Sequence, residues 1–371
     1  MPSFEFQCSP EVLIGAGRLD DLRSLPAQFS ARRILLVSDP GITACGLTAK
    51  AFDLLTEAAD DCHIFDQVEE NPTASNVGVG ADFAHQCGSI DLIVGLGGGS
   101  AMDCAKGINF IYTNGGSMEN YSGINRASQP MLPAIGIPTT AGTGSEAQSF
   151  AVIAQDETHR KMACGDRKAK FATVILDPLL APSAPREVVA ATGLDAMAHA
   201  VESYVSTRRN PVSQMFAAEA WRLLNGSYET VLAGSEDSQP WLAMLTGAHF
   251  AGVAIEHSML GAAHACANPL SARFKVSHGA AVGLMLPAVM RFNEVEMLRE
   301  YEKLGGGTED MIERLAVVRS TAGLPQQLRE IAVPEEVLPD LAADAAEQWT
   351  ARFNPRPLGL TDFLELYRAA F

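Results

Sequence analysis

The 371-residue chain has no CxxC pair, and its seven cysteines (Cys8, Cys45, Cys62, Cys87, Cys104, Cys164 and Cys266) are odd in number. That usage suits reduced thiols in a cytosol better than a disulfide framework. Basic residues are also short: 27 Lys and Arg stand against 44 Asp and Glu, a formal charge of −17. Such a balance argues against nucleic acid or an anionic membrane surface as partner. Long apolar runs are missing too. The longest, such as DLIVGLGGG and VGLMLPAVM, are too short and too interrupted by Gly and Pro to span a bilayer. The opening MPSFEFQCSPEVLIGAG lacks a basic segment followed by an apolar one, so no signal peptide is expected and the expected location is the cytoplasm. Internal repeats and low-complexity stretches are absent. What is present is core material: 47% hydrophobic and 19% charged residues, enough for about two domains.

The first half alternates short β-branched runs with helical stretches. RRILLVSD, CHIFDQV, DLIVGLG and LPAIGIPTT have strand character, and TAKAFDLLTEAA and SNVGVGADFAHQC between them have helix character. Strands separated by helices predict a parallel, Rossmann-like α/β sheet. After DPLLAPSAP the texture changes to long Ala-rich amphipathic segments, from REVVAATGLDAMAHAVESYV to LPDLAADAAEQW, which predict an all-α domain. The expected division is residues 1–184, α/β and dinucleotide-binding, and 185–371, helical.

Within DLIVGLGGGSAMDCAKG, Gly95, Gly97, Gly98, Gly99 and Ser100 lead from a strand into a helix expected to start near Ala101. Glycines there let a diphosphate approach backbone N–H groups at the positive end of the helix. A tight turn that binds nothing is the plain alternative, and the loop is not the usual GxGxxG after the first strand. Asp39 closes the first of these strands, where a carboxylate can hold adenosine ribose hydroxyls and repel a 2′-phosphate, or simply cap the next helix. PTTAGTGSE adds Thr139, Thr140, Thr143 and Ser145, small donors after a strand. Together the three favour NAD.

In GLDAMAHAVESY, Asp195 and His199 are four residues apart on one face of an apolar helix, with Glu202 a further turn on. A buried charge needs a partner. A hydrogen-bonded pair would do; so would a metal ion. His264 and His278 follow downstream in GAAHACANPLSARFKVSHGAAVGLMLP, each flanked by small residues. One carboxylate and three imidazoles suit Fe²⁺ or Zn²⁺.

These segments resemble the iron-containing (group III) alcohol dehydrogenase family over essentially the full chain. VILDPLLAPSAPREVVAATGLDAMAHAVESY is similar to its first signature and residues 261–287 to its second, while NPT (Asn71–Thr73), GGGS, PTTAGTGSE and the tail NPRPLGLTDFLELYRAAF are similar to further landmarks. The resemblance implies a dehydroquinate synthase-like fold, with the active site in a cleft between an α/β nucleotide-binding domain and a helical one. It implies Asp195, His199, His264 and His278 as metal ligands, with His278 among the catalytic groups. It implies cofactor contacts from Asp39, Asn71, Gly97, Gly98, Gly99, Ser100, Asp103, Thr139, Thr140 and Thr143, with Lys161 near the nicotinamide ribose. It also implies a small alcohol or aldehyde as substrate and a homodimer or larger homo-oligomer.

Two positions depart from the family pattern. Asn268 stands where many members have a second histidine, and an amide cannot shuttle a proton. Ile255, Glu256 and His257 replace an aromatic and an Asn; His257 is a candidate proton relay, or a surface histidine on the far side of its helix. The expected activity is reversible hydride transfer between an alcohol carbon and NAD. The alternatives are a maleylacetate reductase or other oxo-acid reductase, for which Arg273 and Lys275 would supply a small anion site, and a catalytically silent NAD-binding or assembly protein.

Overall fold

Burial on both faces marks the central strands of the first layer of the computed structural model, which describes residues 4–7, 9–158 and 160–371; Cys8 thus lies outside the described residues. Six strands, β1 (Glu11–Ile14), β2 (Arg33–Val37), β3 (Asp61–Phe65), β4 (Leu92–Gly97), β6 (Ala134–Pro138) and β9 (Thr173–Leu176), form one sheet in the order β1-β9-β6-β4-β2-β3. Every pairing in it is parallel. Ile34 and Leu36 of β2 join one apolar cluster while Leu35 and Val37 join the other. That is the near-continuous hydrophobic run of a strand covered on both sides. A second, small sheet combines β5 (Gly123–Ile124), β7 (Phe150–Ala154) and β8 (Lys161–Gly165) in the order β5-β8-β7, with β7 and β8 antiparallel.

The accompanying helices are α1 (Leu25–Gln28), α2 (Pro40–Ala44), α3 (Leu47–Thr56), α4 (Ala74–Gln86) and α5 (Gly99–Asn114). These elements make one compact unit, Gln7–Thr140 with Ser145–Ala184. The expected strands and helices of this half are all present. The helix after the glycine run begins at Gly99, two residues earlier than expected. Gly98 and Gly99 enter the turn without a side chain, so the helix starts as soon as the strand ends, and no side chain caps its first N–H groups.

The other unit comprises Pro185–Phe371, Ala141–Gly144 and residues 4–6. Its helices are α6 (Arg186–Val205), α7 (Pro211–Leu232), α8 (Ser238–His257), α9 (Ala262–Phe274), α10 (His278–Gly305), α11 (Thr308–Ala322), α12 (Leu338–Ala346) and α13 (Leu360–Ala369). α6 is buried all round from Gly193 to Val205 and packs with α7, α8 and α10. Gly279 and Gly283 of α10 permit the closest of these approaches: a Cβ on Gly279 would lie 1.9 Å from the Ala191 carbonyl oxygen, and one on Gly283 2.1 Å from Leu194 Cδ2. Asn210 caps α7 by accepting from the Val212 and Ser213 amides, with Pro211 at the first helical position. Among the described residues no helix is long and apolar enough to cross a membrane.

Candidate metal and dinucleotide sites

Asp195 and His199 come from α6, His264 from α9 and His278 from the first residue of α10. Three imidazole nitrogens converge on one carboxylate oxygen: Asp195 Oδ1 lies 3.5 Å from His199 Nε2, 3.4 Å from His264 Nε2 and 3.9 Å from His278 Nε2. The His199 and His264 rings are stacked with centroids 4.8 Å apart. Asp195 Oδ1 and His264 Nε2 are both buried and neither makes a hydrogen bond. Two such atoms facing each other would be costly unless a third group sits between them. Donors bonded at about 2.1 Å to one tetrahedral cation stand about 3.4 Å apart, the spacing seen across this cluster. The donor set, one carboxylate and three imidazoles, is that of Fe²⁺ or Zn²⁺. Asp195, His199 and His264, whose ligating atoms all lie within 4.8 Å of one another, therefore fit a single divalent cation, and His278 Nε2 stands 3.9 Å from the same Asp195 oxygen.

With no cation between them, these groups compete for protons. Burial would raise the Asp195 carboxyl, but the facing imidazoles of His199, His278 and His264 outweigh it and hold it well below the carboxylate range. Burial pulls His199 down to about 4 against the attraction of Asp195. Burial also opposes charge on His264, yet the facing carboxylates of Asp195 and Glu202 lift it to about 9.

Glu202 is the residue for which the sequence suggested no role. It lies seven positions after Asp195, on the same face of α6, and its Oε2 is 2.5 Å from His264 Nδ1. The i, i+4, i+7 spacing of Asp195, His199 and Glu202 was the available signal. Asn354 of the NPRP tail is a second such residue. Its Oδ1 accepts from the Ala262 amide, and it exchanges two hydrogen bonds with Asn293 of α10 (2.7 and 3.0 Å). The two departures are also placed. Asn268 donates to Gln348 Oε1 at 3.0 Å, a structural bond. His257 ends α8, its ring 4.8 Å from that of Phe6 and its carbonyl accepting from Asn210. Arg273 pairs with Asp344 and reaches Asp340 at 3.9 Å, so its charge is already countered by carboxylates.

The other unit gathers most of the small-residue positions at one edge of the sheet. From β2 the chain crosses to β3 on one side, and from β4 to β6 on the other. The carboxyl ends of β2 and β4 thus flank the point where strand order reverses, the usual place of a ligand crevice in such sheets. Register sets Val37 beside Gly95, which brings Asp39 beside Gly97. Gly97 has φ +146, and a Cβ there would meet Asp39 Oδ2 and Ala101 Cβ, each at 2.8 Å. Asp39 Oδ1 caps α2 by accepting from the Gly41 and Ile42 amides. The cap and the ribose reading are thus compatible, because Oδ2 is a separate acceptor on the Gly97 side.

Around this edge, Ser100 Oγ accepts from the Asn71 amide, Thr139 N donates to Gly97 O, and Thr140 flanks Gly98. Thr139 Oγ1 is buried without a hydrogen-bond partner. The uncapped start of α5, the bare Gly97–Gly99 backbone and this unused hydroxyl fit a diphosphate. Asp103 accepts from Ser145 Oγ. Burial raises its pKa, with Lys106 and Lys161 among the groups opposing. Lys106, wholly buried, donates to Ser145 O, Ser145 Oγ and Phe150 O, and so ties α5 to the loop after β6. Thr143 lies in the Ala141–Gly144 stretch, which belongs to the helical unit.

The sequence matches the model of the iron-containing alcohol dehydrogenases over residues 9–178 and that of their C-terminal domain over residues 189–371. The chain belongs to the iron-containing alcohol dehydrogenase family. It is similar to the NAD-dependent methanol dehydrogenase of Bacillus methanolicus, 31% identical over 98% of this chain and 99% of that one. It is likewise similar to the 1,3-propanediol dehydrogenase of Klebsiella pneumoniae, 34% identical over 92% of each. The crystal structure of a 1,3-propanediol oxidoreductase superposes with a TM-score of 0.94 at 31% identity, covering all of both chains. The parallel sheet followed by an all-helical region is thus the family fold.

Proposed function

We propose that this protein is a metal-dependent, NAD(H)-linked alcohol dehydrogenase and aldehyde reductase acting on a small primary alcohol or diol. The observation that carries the reading is the convergence of three imidazole nitrogens on an unbonded Asp195 oxygen in a member of this family. Asp195, His199, His264 and His278 hold the cation, iron or zinc. When bound, it supplies Lewis-acid chemistry, lowering the pKa of an alcohol oxygen or polarising an aldehyde carbonyl. Asp195 offsets part of the positive charge. The methanol and 1,3-propanediol dehydrogenases among its relatives support a short substrate.

The dinucleotide is held at the carboxyl ends of β2 and β4: the diphosphate by the backbone from Gly97 to Ser100 and by Thr139, the adenosine ribose by Asp39. Asn71, Asp103, Thr140, Thr143 and Lys161 complete the cofactor contacts. Asn268 carries no proton, so exchange with solvent proceeds through water or through His257. In solution the protein is a cytosolic homo-oligomer. The carboxylates around Arg273 disfavour an oxo-acid substrate, because they compete with it for the guanidinium.

The reading is tested by stripping metal with a chelator and following NADH formation from short alcohols and diols. Activity should vanish and return with about one Fe²⁺ or Zn²⁺ per chain. Metal-free protein that turns over at the full rate refutes it. Cofactor choice is checked separately with Asp39→Asn, which keeps the cap through Oδ1 but drops the charge. The preference for NAD⁺ over NADP⁺, as a ratio of kcat/KM, should fall roughly tenfold, about 1.4 kcal/mol.

A further inference from the structure

We infer that Glu202 sets the tautomer and aim of His264, and through it the affinity of the four-ligand cluster for its cation; the inference rests on the metal-dependent reading above. Glu202 is 3% exposed, on the buried face of α6 that also carries Asp195 and His199. All its described bonds go to the start of α9: Oε2 lies 2.5 Å from His264 Nδ1 and accepts from the Gly261 amide at 3.1 Å, and Oε1 accepts from the Ala263 amide at 2.7 Å. Gly261 caps α9 without a side chain, so those amides would otherwise lack acceptors. Asn354 takes the amide between them. The first turn of α9, which carries His264, is thus held by α6 and by the tail.

An ionised carboxylate can only accept, so His264 Nδ1 must donate, and when the ring is neutral its lone pair is on Nε2. Nε2 is the atom that lies 3.4 Å from Asp195 Oδ1. One side chain therefore fixes both where the ring stands and which nitrogen is open to a cation. The carboxylate also makes the ring a stronger donor. A cap alone would need none of this, because any neutral acceptor could receive the Gly261 and Ala263 amides.

Glu202→Gln tests the support of the ring. Glutamine keeps an acceptor oxygen for the Ala263 amide, but the NH₂ in place of Oε2 can only donate, toward His264 Nδ1 and against the Gly261 amide. The ring must then move its proton to Nε2, the face a cation needs, or lose its support. Titrating metal-free protein with Zn²⁺ should show a dissociation constant 10–100-fold weaker in Glu202→Gln than in the wild type, with NADH affinity unchanged. Unchanged Zn²⁺ affinity in the folded variant overturns the inference and leaves Glu202 a helix cap. Should the variant not fold, ¹⁵N-histidine NMR of the Zn²⁺-loaded wild type decides. His264, assigned by its loss in His264→Asn, must carry its proton on Nδ1, and a proton on Nε2 overturns the claim. A wild type that takes up no Zn²⁺ or Fe²⁺ defeats the metal-dependent reading itself, a different failure from equal uptake by wild type and variant.

Discussion

Asp195→Asn should lose more than about 100-fold in Zn²⁺ or Fe²⁺ affinity, and alcohol oxidation with it, while NADH still binds. The bound follows from what a lesser change costs: disturbing a group that merely supports a metal ligand typically weakens binding 10–100-fold. Asp195 is more central than that, because a single oxygen faces His199, His264 and His278 at 3.4–3.9 Å. Asparagine preserves the volume in a site where the side chain is 5% exposed, so loss by cavity formation is avoided. It removes the only negative charge facing the three imidazoles among the residues proposed as ligands. Elemental analysis after dialysis against the metal, paired with NADH fluorescence, reads both quantities. Near-stoichiometric metal in Asp195→Asn would contradict the assignment of this carboxylate.

Gly279→Ala should be the most damaging single methyl in the helical unit. Its Cβ would lie 1.9 Å from the Ala191 carbonyl oxygen and 2.7 Å from the Ala191 carbonyl carbon, backbone atoms that no rotamer change can clear. α6 and α10 would have to part, and Gly279 adjoins His278 while Ala191 stands one turn before Asp195. Overpacking commonly costs 1–3 kcal/mol, and a clash with backbone belongs at or above the upper end, about 3 kcal/mol or roughly 6–10 °C in Tm. Metal affinity should fall as well, because Asp195 and His199 ride on α6 and His278 on α10. Gly226→Ala is the matched control. That position is exposed within α7 with nothing within 4 Å of a new Cβ, and alanine there should raise stability by about 0.5–1 kcal/mol. Calorimetry of the two variants checks the contrast. Equal Tm values would show that α6 and α10 have more room than their glycines indicate.

Legibility in the sequence followed the physics of each element. β2 and β4 are short apolar runs next to helices and could be read directly, as could β6 and the Ala-rich α6. The small sheet escaped, because β7 and β8 obtain their partners only from each other and from the two-residue β5. At the metal cluster the residue types and the Asp195–His199 spacing were informative, but meeting His264 and His278 depends on how α9 and α10 pack on α6, which no local pattern encodes. Glu202 was visible as a buried acid on the right face. Its partners were not, because they are backbone amides sixty residues away, and an amide leaves no mark in a sequence.

Several of the asparagines that hold this molecule together share one neighbour. Asn71, Asn210, Asn268 and Asn354 are each followed by proline. Asn71 meets Ser100 through its backbone N–H, while the side chains of the other three cap α7, bind Gln348, and close the amide pair with Asn293. Spontaneous deamidation of asparagine runs through attack by the next residue's backbone nitrogen, and proline has no N–H with which to form the ring. A conversion of Asn354 to aspartate would set an acceptor against Asn293 Oδ1, where Nδ2 now donates at 2.7 Å. The proline at 355 blocks that route to the aspartate. Hydrolytic ageing by this route is left to pairs such as Asn114–Gly115, at the end of α5, where no proline intervenes.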